Sequence, residues 1–206
     1  MITLLSSYAV TIADVLPIVM VAVGALLQMT TGVGLGLIAG PFLLFVMAPA
    51  SAIQTAIILN LLLSIILLPW EWRNVEIAPL MRLAAWAAIG IPLGSVFLIS
   101  VDSASLKLVS GVAVVAAAVQ LVLVKAPALS PGKHQSVVGI GGFVSGLMTG
   151  ALAIPGPVAL WALLASGLEP RSTRATLRAF FVAAYAFAYL MHILLTGPNI
   201  KPCPRA

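Results

Sequence analysis

Two stretches rich in glycine, threonine and proline interrupt the most apolar parts of this chain. The first, "MTTGVGLGLIAGP" (Met29 to Pro41), lies inside an uncharged run of 56 residues; the second, "TGALAIPGP" (Thr149 to Pro157), lies inside an uncharged run of 34. Glycine and proline weaken helices, so each stretch predicts a break. A helix that restarts after a break presents N–H groups and the positive end of its dipole. The chemistry predicted at each break is therefore anion binding.

The candidate substrate-binding residues form the two breaks, together with one polar side chain in the third apolar segment and two arginines near the last one. They are Thr31, Gly32, Gly34, Gly36, Gly40, Pro41, Asn60, Thr149, Gly150, Gly156, Pro157, Arg174 and Arg178. Other interpretations stay open. Gly32, Gly36 and Gly40 fall four apart, which also suits close helix packing, and the second break could be a structural proline kink. Pro157 suits the start of a helix, where its missing N–H costs nothing.

The polar side chains outside the breaks also have structural interpretations. Gln28 and Asn60 suit hydrogen bonds between helices, with pore lining as the alternative. Arg174 and Arg178 suit the positive-inside bias, with attraction of an anion toward the cytoplasmic mouth as the alternative. His192 is expected at the membrane edge in an interfacial role, with proton relay or anion contact as the alternative.

The elements that position these residues are membrane helices. Apolar residues make up 62% of the 206 and charged residues 7%, and the mean hydropathy is +1.20; a soluble domain carries about 25% charged residues. Five uncharged runs approach or exceed the roughly 20 residues that cross a bilayer. The predicted fold is all-α: a single transmembrane domain over 1–206, a polytopic helical bundle of about seven to eight hydrophobic segments with broken or short helices.

The expected segments are roughly 14–30, 36–48, 51–70, 77–99, 105–125, 136–151, 155–167 and 174–196. Seven basic residues mark the cytoplasmic side by the positive-inside rule: Arg73, Arg82, Lys125, Lys133, Arg171, Arg174 and Arg178. The other side receives Lys107, Lys201 and Arg205, and the N-terminus is expected outside if the first three segments all cross the membrane. This bias accounts for the net charge of +5, since the basic residues form no run with interleaved aromatics. Nucleic acid is therefore not an expected partner.

The two breaks also suggest an internal repeat. Taken from Thr31 and from Thr149, both begin with Thr-Gly and end with Gly-Pro, and the stretches that follow, "PASAIQTA" (49–56) and "PRSTRATL" (170–177), match at Pro, Ser and Thr. The first of these lies in an uncharged outer loop and the second in an arginine-rich inner one. Two similar units of opposite orientation form an inverted repeat, which is typical of secondary transporters. We predict a first repeat over about 14–125 and a second, incomplete one over about 136–206.

The sequence lacks the residues that enzyme chemistry and ATP-driven transport would need. All five carboxylates lie at loops or segment ends, so no buried carboxylate is available to a transported cation. There is no HExxH, GxSxG or Walker motif. Cys203 is the only cysteine, so no internal disulfide or cysteine-based metal site can form. We predict a protein that is not an enzyme and that uses no cofactor or metal.

Three stretches resemble one family of membrane transporters. They are "TTGVGLGLIAGPFLLF" (30–45), "NVEIAPLMRLAAWAAIGIPLGSVFL" (74–98) and "GGFVSGLMTGALAIPGPVALWALLASGLEPRSTRATLRAFF" (141–181). They are similar to the sulfite exporter TauE/SafE family, also called TSUP, and the order of elements in the third is the most specific. In two places the chain departs from the family: "ALAIPGP" replaces a fuller glycine run, and the chain ends at "GPNIKPCPRA", where the family continues with further segments.

The resemblance implies a permease for small anions, namely sulfite, organosulfonates or related sulfur compounds. It further implies a multi-pass protein that exports them across a bacterial cytoplasmic (inner) membrane. We expect the site at the bilayer midplane between the two breaks. The expected partners are a small anionic substrate and the lipid bilayer, and homo-oligomerisation stays open. The alternative is a truncated, non-transporting helical membrane protein or a subunit of a larger membrane assembly.

Overall fold

The computed structural model describes residues 12–123 and 131–196. Within them the chain forms α1 (Ile12–Thr31), α2 (Leu35–Val46), α3 (Pro49–Glu71), α4 (Ile77–Ser100), α5 (Ser103–Leu123), α6 (Pro131–Leu152), α7 (Gly156–Ala165) and α8 (Pro170–Thr196). A 3-10 turn, Trp72–Asn74, joins α3 to α4, and no strand occurs in these ranges. The predicted all-α fold is confirmed, and each predicted segment matches one helix to within a few residues. Lys125, Lys201 and Arg205 lie outside the described residues.

The described helices include four long spans and two short helices that follow the breaks. Four described helical stretches are long and apolar enough to cross a membrane, judged by length and composition: Pro49–Asn74, Ile77–Ser100, His134–Leu152 and Pro170–Leu195. By contrast, α2 and α7 have 12 and 10 residues, or about 18 and 15 Å at 1.5 Å per residue. That is roughly half of a 30 Å hydrocarbon core. These two are the short helices predicted to follow the breaks.

Proline and a capping carboxylate fix where several helices begin. Pro49 and Pro170 occupy the first positions of α3 and α8, where a missing N–H leaves no bond unmade. Asp102 precedes α5 and accepts hydrogen bonds from the backbone N–H groups of Ser105 and Ala104, each at 3.0 Å. These bonds, that of Ser105 first, lower the pKa of the Asp102 carboxyl. The α4–α5 connection is thus a defined helix start.

Glycines spaced four residues apart let α4 and α6 pack closely against each other. A Cβ on Gly142 would lie 2.6 Å from the Leu83 carbonyl oxygen, and one on Gly146 would lie 2.6 Å from that of Ala87. Each step along α6 matches a step in the same direction along α4, so the two helices are parallel. Small residues at this spacing let membrane helices approach closely. Close packing against α4 therefore explains these glycines of α6.

The two helical hairpins that contain the breaks enter the bundle from opposite ends of α8. In the first hairpin, α2 folds back along α1, and the end of α1 lies beside Arg174 and Arg178 in the first third of α8. In the second hairpin, α7 folds back along α6, and Gly150 near the end of α6 lies beside His192 in the last third of α8. Opposed hairpins are the arrangement that an inverted repeat would have; the repeat itself stays a prediction.

The described arginines gather at one end of the bundle, which we call the basic side. It is formed by the end of α3 and the starts of α4 and α8, and it carries Arg73, Arg82, Arg171, Arg174 and Arg178. Lys107, in the first turns of α5, lies toward the other end. This separation of charge follows the predicted pattern, and the cytoplasmic orientation of the basic side stays a prediction.

Candidate functional site

The first break separates α1 from α2 at residues 32–34. Gly32 has a φ of +83°, a left-handed conformation that glycine adopts without a steric penalty. The Thr31 hydroxyl accepts a hydrogen bond from Val33 N–H at 3.2 Å and lies 2.6 Å from the Val33 carbonyl oxygen. The buried Gln28 side chain accepts a hydrogen bond from Leu35 N–H at 3.1 Å. Side chains of α1 thus hold the turn and cap the start of α2.

The second break separates α6 from α7 at residues 153–155. Ala153 is fully buried and has a φ of 58°, a left-handed conformation that is strained for any residue other than glycine. The Ser145 hydroxyl donates to the Pro155 carbonyl at 2.6 Å, and the Tyr185 hydroxyl donates to the Ala153 carbonyl at 3.3 Å. Thr149 N-terminal to the break donates to Ser145 O at 2.6 Å. The turn is therefore held from both α6 and α8.

The two breaks contact each other directly. A Cβ on Gly36, in the first turn of α2, would lie 2.5 Å from the Ala153 carbonyl oxygen of the second break. A Cβ on Gly156, at the start of α7, would lie 2.5 Å from the Val33 side chain of the first break. Both contacts are far shorter than a carbon atom tolerates. Each break therefore has a glycine where the other break packs against it, at Gly36 against backbone and at Gly156 against a side chain.

A small cavity of about 10 Å³ lies where the breaks meet, room for about one water molecule. Its lining combines both breaks with α8: Gln28, Val33, Gly34, Gly36, Leu37, Ile154, Pro155, Gly156, Pro157, Phe181 and Tyr185. The starts of α2 and α7 both border it, and first-turn N–H groups have no acceptor within their own helix. Phe181 and Tyr185 flank the midpoint of the 27-residue α8. The cavity is thus a central point where two positive helix ends converge.

Several predicted site residues come together at this cavity. Gly34, Gly36, Gly156 and Pro157 line it. Asn60 lies beside them: its Nδ2 would be 3.7 Å from a Cβ on Gly36. Asn60 is buried and donates to Ala56 O of its own helix at 2.8 Å, while its Oδ1 has no hydrogen-bond partner among the described residues. The hydrogen bond expected between helices is thus made within α3, and one acceptor is left over.

Other predicted residues border the site without lining it. Thr31 and Gly32 form the turn of the first break, and Thr149 holds the end of α6. A Cβ on Gly40 would lie 4.0 Å from Leu152 O, an ordinary contact, and Pro41 follows it inside α2. Gly150 faces α4, where a Cβ would collide with the Ile91 carbonyl. The α4–α6 packing, rather than the cavity, explains the glycine at position 150.

Arg174 and Arg178 lie on the basic side of the cavity and contact protein groups. Arg178 pairs with Glu71 at 2.6 Å between Nη1 and Oε1, and its Nη2 donates to Met29 O at 2.7 Å. Arg174 donates from Nη1 to Thr30 O at 3.1 Å. Cations at the last carbonyls of a helix satisfy exposed acceptors and offset the negative dipole end. Both arginines therefore cap the C-terminus of α1.

The expectation of an interfacial role for His192 is corrected by its burial. The side chain is 1% exposed, and its Nε2 lies 2.7 Å from the Gly150 carbonyl oxygen near the end of α6. The last turns of α6 cover this face of α8, which sequence spacing alone does not reveal. His192 also belongs to no metal-binding cluster: within the described residues, no group of three or more His, Cys, Asp or Glu residues could hold a metal ion.

Sequence reasoning missed part of the cavity wall. Phe181 gives no signal, because it is an apolar residue in an apolar helix whose lipid-facing and buried sides look alike. Gln28 gives a weak one as a polar group just before the first break, and Tyr185 gives one as a polar group in an uncharged run. Tyr185 is 2% exposed and touches both the cavity and the second break. A polar atom that must find a partner inside a membrane is the usable signal.

Comparisons with known proteins agree with this architecture. The family model described as "Sulfite exporter TauE/SafE" matches residues 16–202, nearly the whole chain. No curated protein matches the chain, and no solved structure does. The match spans both hairpins, both breaks and α8, so it covers every element of the site. The chain is a multi-pass membrane protein and belongs to the sulfite exporter TauE/SafE family.

Proposed function

We propose that this protein is a permease for small sulfur-containing anions, sulfite or short organosulfonates, and that it exports them across a bacterial inner membrane. The observation that carries the proposal is the direct contact of two opposed helix breaks around one central cavity. Irregular backbone at membrane depth is tolerated where it is buried in protein or lines a cavity. Two helix N-termini converging on one point favour a negatively charged occupant.

The chemistry of the lining supports an anion over a cation. The described cavity wall has no carboxylate, and the first turns of α2 and α7 offer backbone N–H groups, including those of Gly36 and Gly156. Asn60 and Tyr185 add neutral polar groups beside them. Oxyanions accept several such hydrogen bonds at once. We infer that the substrate oxygens lie between the two helix starts.

The cavity volume indicates that substrate binding requires movement. About 10 Å³ is at the lower limit for one water molecule and is smaller than any sulfur oxyanion. The two hairpins must therefore separate to admit a substrate, as expected for alternating access around a fixed site. The contacts of Gly36 with Ala153 and of Gly156 with Val33 close the site in the conformation described.

A flux assay on the purified chain in proteoliposomes tests the proposal. Vesicles loaded with sulfite, or with methanesulfonate or taurine, should release the anion with saturable kinetics, faster than protein-free vesicles. The alternative is a non-transporting membrane protein. Release equal to that of protein-free vesicles for every one of these anions contradicts the permease and favours that alternative.

A further inference from the structure

An ion pair on the basic side joins three helices next to the cavity. Arg178, with a side chain only 5% exposed, binds Glu71 at the end of α3 and the Met29 carbonyl at the end of α1. The Glu71 side chain is 22% exposed, so it faces the exterior more than its partner does. Through these two contacts, the Arg178 side chain links α1 and α3 to α8.

The ion pair lies about one helical turn from the cavity. Arg178 precedes the cavity-lining Phe181 by three residues, a rise of about 4.5 Å along α8. Met29, its carbonyl partner, adjoins Gln28, which also lines the cavity. Gly32 of the first break packs directly on the stem of Arg174, where a Cβ would lie 3.6 Å from Arg174 Cγ. Arg174 and Arg178 are therefore residues of the basic side that lie next to the first break and the cavity.

Both arginines keep unused hydrogen-bonding capacity. The Nε atoms of Arg174 and Arg178 are buried and have no hydrogen-bond partner among the described residues, and neither has Glu71 Oε2. An unmade bond at a buried donor or acceptor is costly, most of all at a charged group. A guanidinium offers five donors in a planar fork that suits an oxyanion with several oxygens. The cluster is thus incompletely satisfied by protein groups alone.

We propose that Glu71 acts as a built-in counter-anion that holds the basic side closed, and that a substrate oxyanion replaces its carboxylate on Arg178. When the substrate sulfonate or sulfite oxygens take the Arg178 donors, the link between α3 and α8 opens. The anion then has a route past Arg178 to the cavity. Arg178 becomes the first binding residue on this route, and Glu71 its competitor. This inference rests on the proposed function as an anion permease.

A carboxylate is suited to this role because it resembles the substrate in charge and oxygen geometry. Arg–carboxylate and Arg–oxyanion contacts are of similar strength, so exchange between them costs little net free energy. In a purely structural ion pair, by contrast, the Glu71 carboxylate would stay on Arg178 and the substrate would not replace it. The distinction between the two roles is therefore whether weakening Glu71 helps or harms anion entry.

The test is the concentration of methanesulfonate that gives half-maximal flux in proteoliposomes. Glu71→Gln keeps the size of the side chain and removes its charge, so its bond to Arg178 weakens. We expect the half-maximal concentration to fall about tenfold, the ratio that separates a charged from a neutral hydrogen bond. Glu76→Gln is the matched control: it removes a carboxylate from the exposed residue that precedes α4. It should leave the half-maximal concentration unchanged.

A second variant covers the case in which Glu71→Gln does not fold. Glu71→Asp keeps the charge and withdraws the carboxylate by one methylene, so the half-maximal concentration should fall in the same direction, by about threefold. An unchanged or raised concentration in the folded Glu71 variants, with saturable flux in the original protein, overturns the inference alone. Absence of saturable flux in the original protein overturns the proposed function as well.

Discussion

The two breaks that meet at the cavity both form a left-handed turn between two helices, but they use different residues. The first uses Gly32 for its left-handed turn, whereas the second uses Ala153, which carries a Cβ in that conformation. The first is capped from its own hairpin by Gln28, whereas the second depends on Tyr185 of α8 for one of its bonds. The similarity of the two sequences therefore reflects a shared need for a break, and each hairpin satisfies its polar groups in its own way.

The largest effect is expected where each break presses on the other. Gly36→Ala would place a methyl group 2.5 Å from the backbone oxygen of Ala153, which cannot turn aside, so the hairpins could not return to the closed contact that an alternating cycle needs. We expect a loss of about 1–3 kcal/mol of stability and a fall in flux of more than tenfold. Thermal unfolding in detergent and flux in proteoliposomes measure the two effects.

Substitutions at two other glycines serve as comparisons for Gly36→Ala. Gly156→Ala meets the Val33 side chain, which can rotate, so its effect should be smaller than that of Gly36→Ala. Gly111→Ala in α5 has nothing within 4 Å of the new methyl group and should unfold at the original temperature or slightly above it. Equal effects at positions 36 and 111 would show that the breaks do not touch.

The next effect separates the polar supports of the two breaks. Gln28→Leu leaves the Leu35 N–H without its acceptor in a buried place, which should cost about 1–3 kcal/mol. Ser145→Ala removes one donor from the Pro155 carbonyl, which still accepts a hydrogen bond from the backbone N–H of Ala159 at 3.4 Å, so the loss should be smaller. Unfolding temperatures should therefore fall more for Gln28→Leu. The reverse order would contradict the proposed capping of α2 by Gln28.

The smallest effect exchanges the residues at the two left-handed positions. Gly32→Ala should destabilise by about 1 kcal/mol, because a Cβ is strained at a φ of +83°. Ala153→Gly removes that strain, but glycine loses more conformational entropy on folding, which costs about 0.5–1 kcal/mol. The two effects oppose each other, so the free energy of unfolding should change by less than about 0.5 kcal/mol. Unfolding in denaturant compares them. A loss at Ala153→Gly as large as that at Gly32→Ala would refute strain at Ala153.

Much of the fold could be predicted from the sequence because membrane helices appear in it as long uncharged apolar runs. Uncharged runs give the spans, and Gly32 and the prolines at 155 and 157 give the breaks, so all eight segments and both short helices follow. The Gly/Pro pattern also places Gly36 and Gly156 in the breaks, where the structure has both lining the cavity. These features are local, and local chemistry is what a single sequence records.

The rest depends on which helix faces pack together, which a sequence does not encode locally. Gly150 has the same sequence context as a break residue, yet its neighbour is α4. Arg178 has the context of a loop arginine, yet it is buried on the carbonyls of α1. Phe181 could face lipid or cavity equally well. In an apolar bundle the hydrophobic pattern does not separate inside from outside, so tertiary packing decides.

The central claim is that the two breaks form one site by direct contact, and a double-substitution cycle tests it most directly. Gly156→Ala collides with Val33, and Val33→Ala removes the colliding methyl groups, so the double variant should regain most of the flux that Gly156→Ala loses. The account predicts this recovery, with stability restored in parallel. Losses that simply add in the double variant, measured as flux in proteoliposomes, would contradict it.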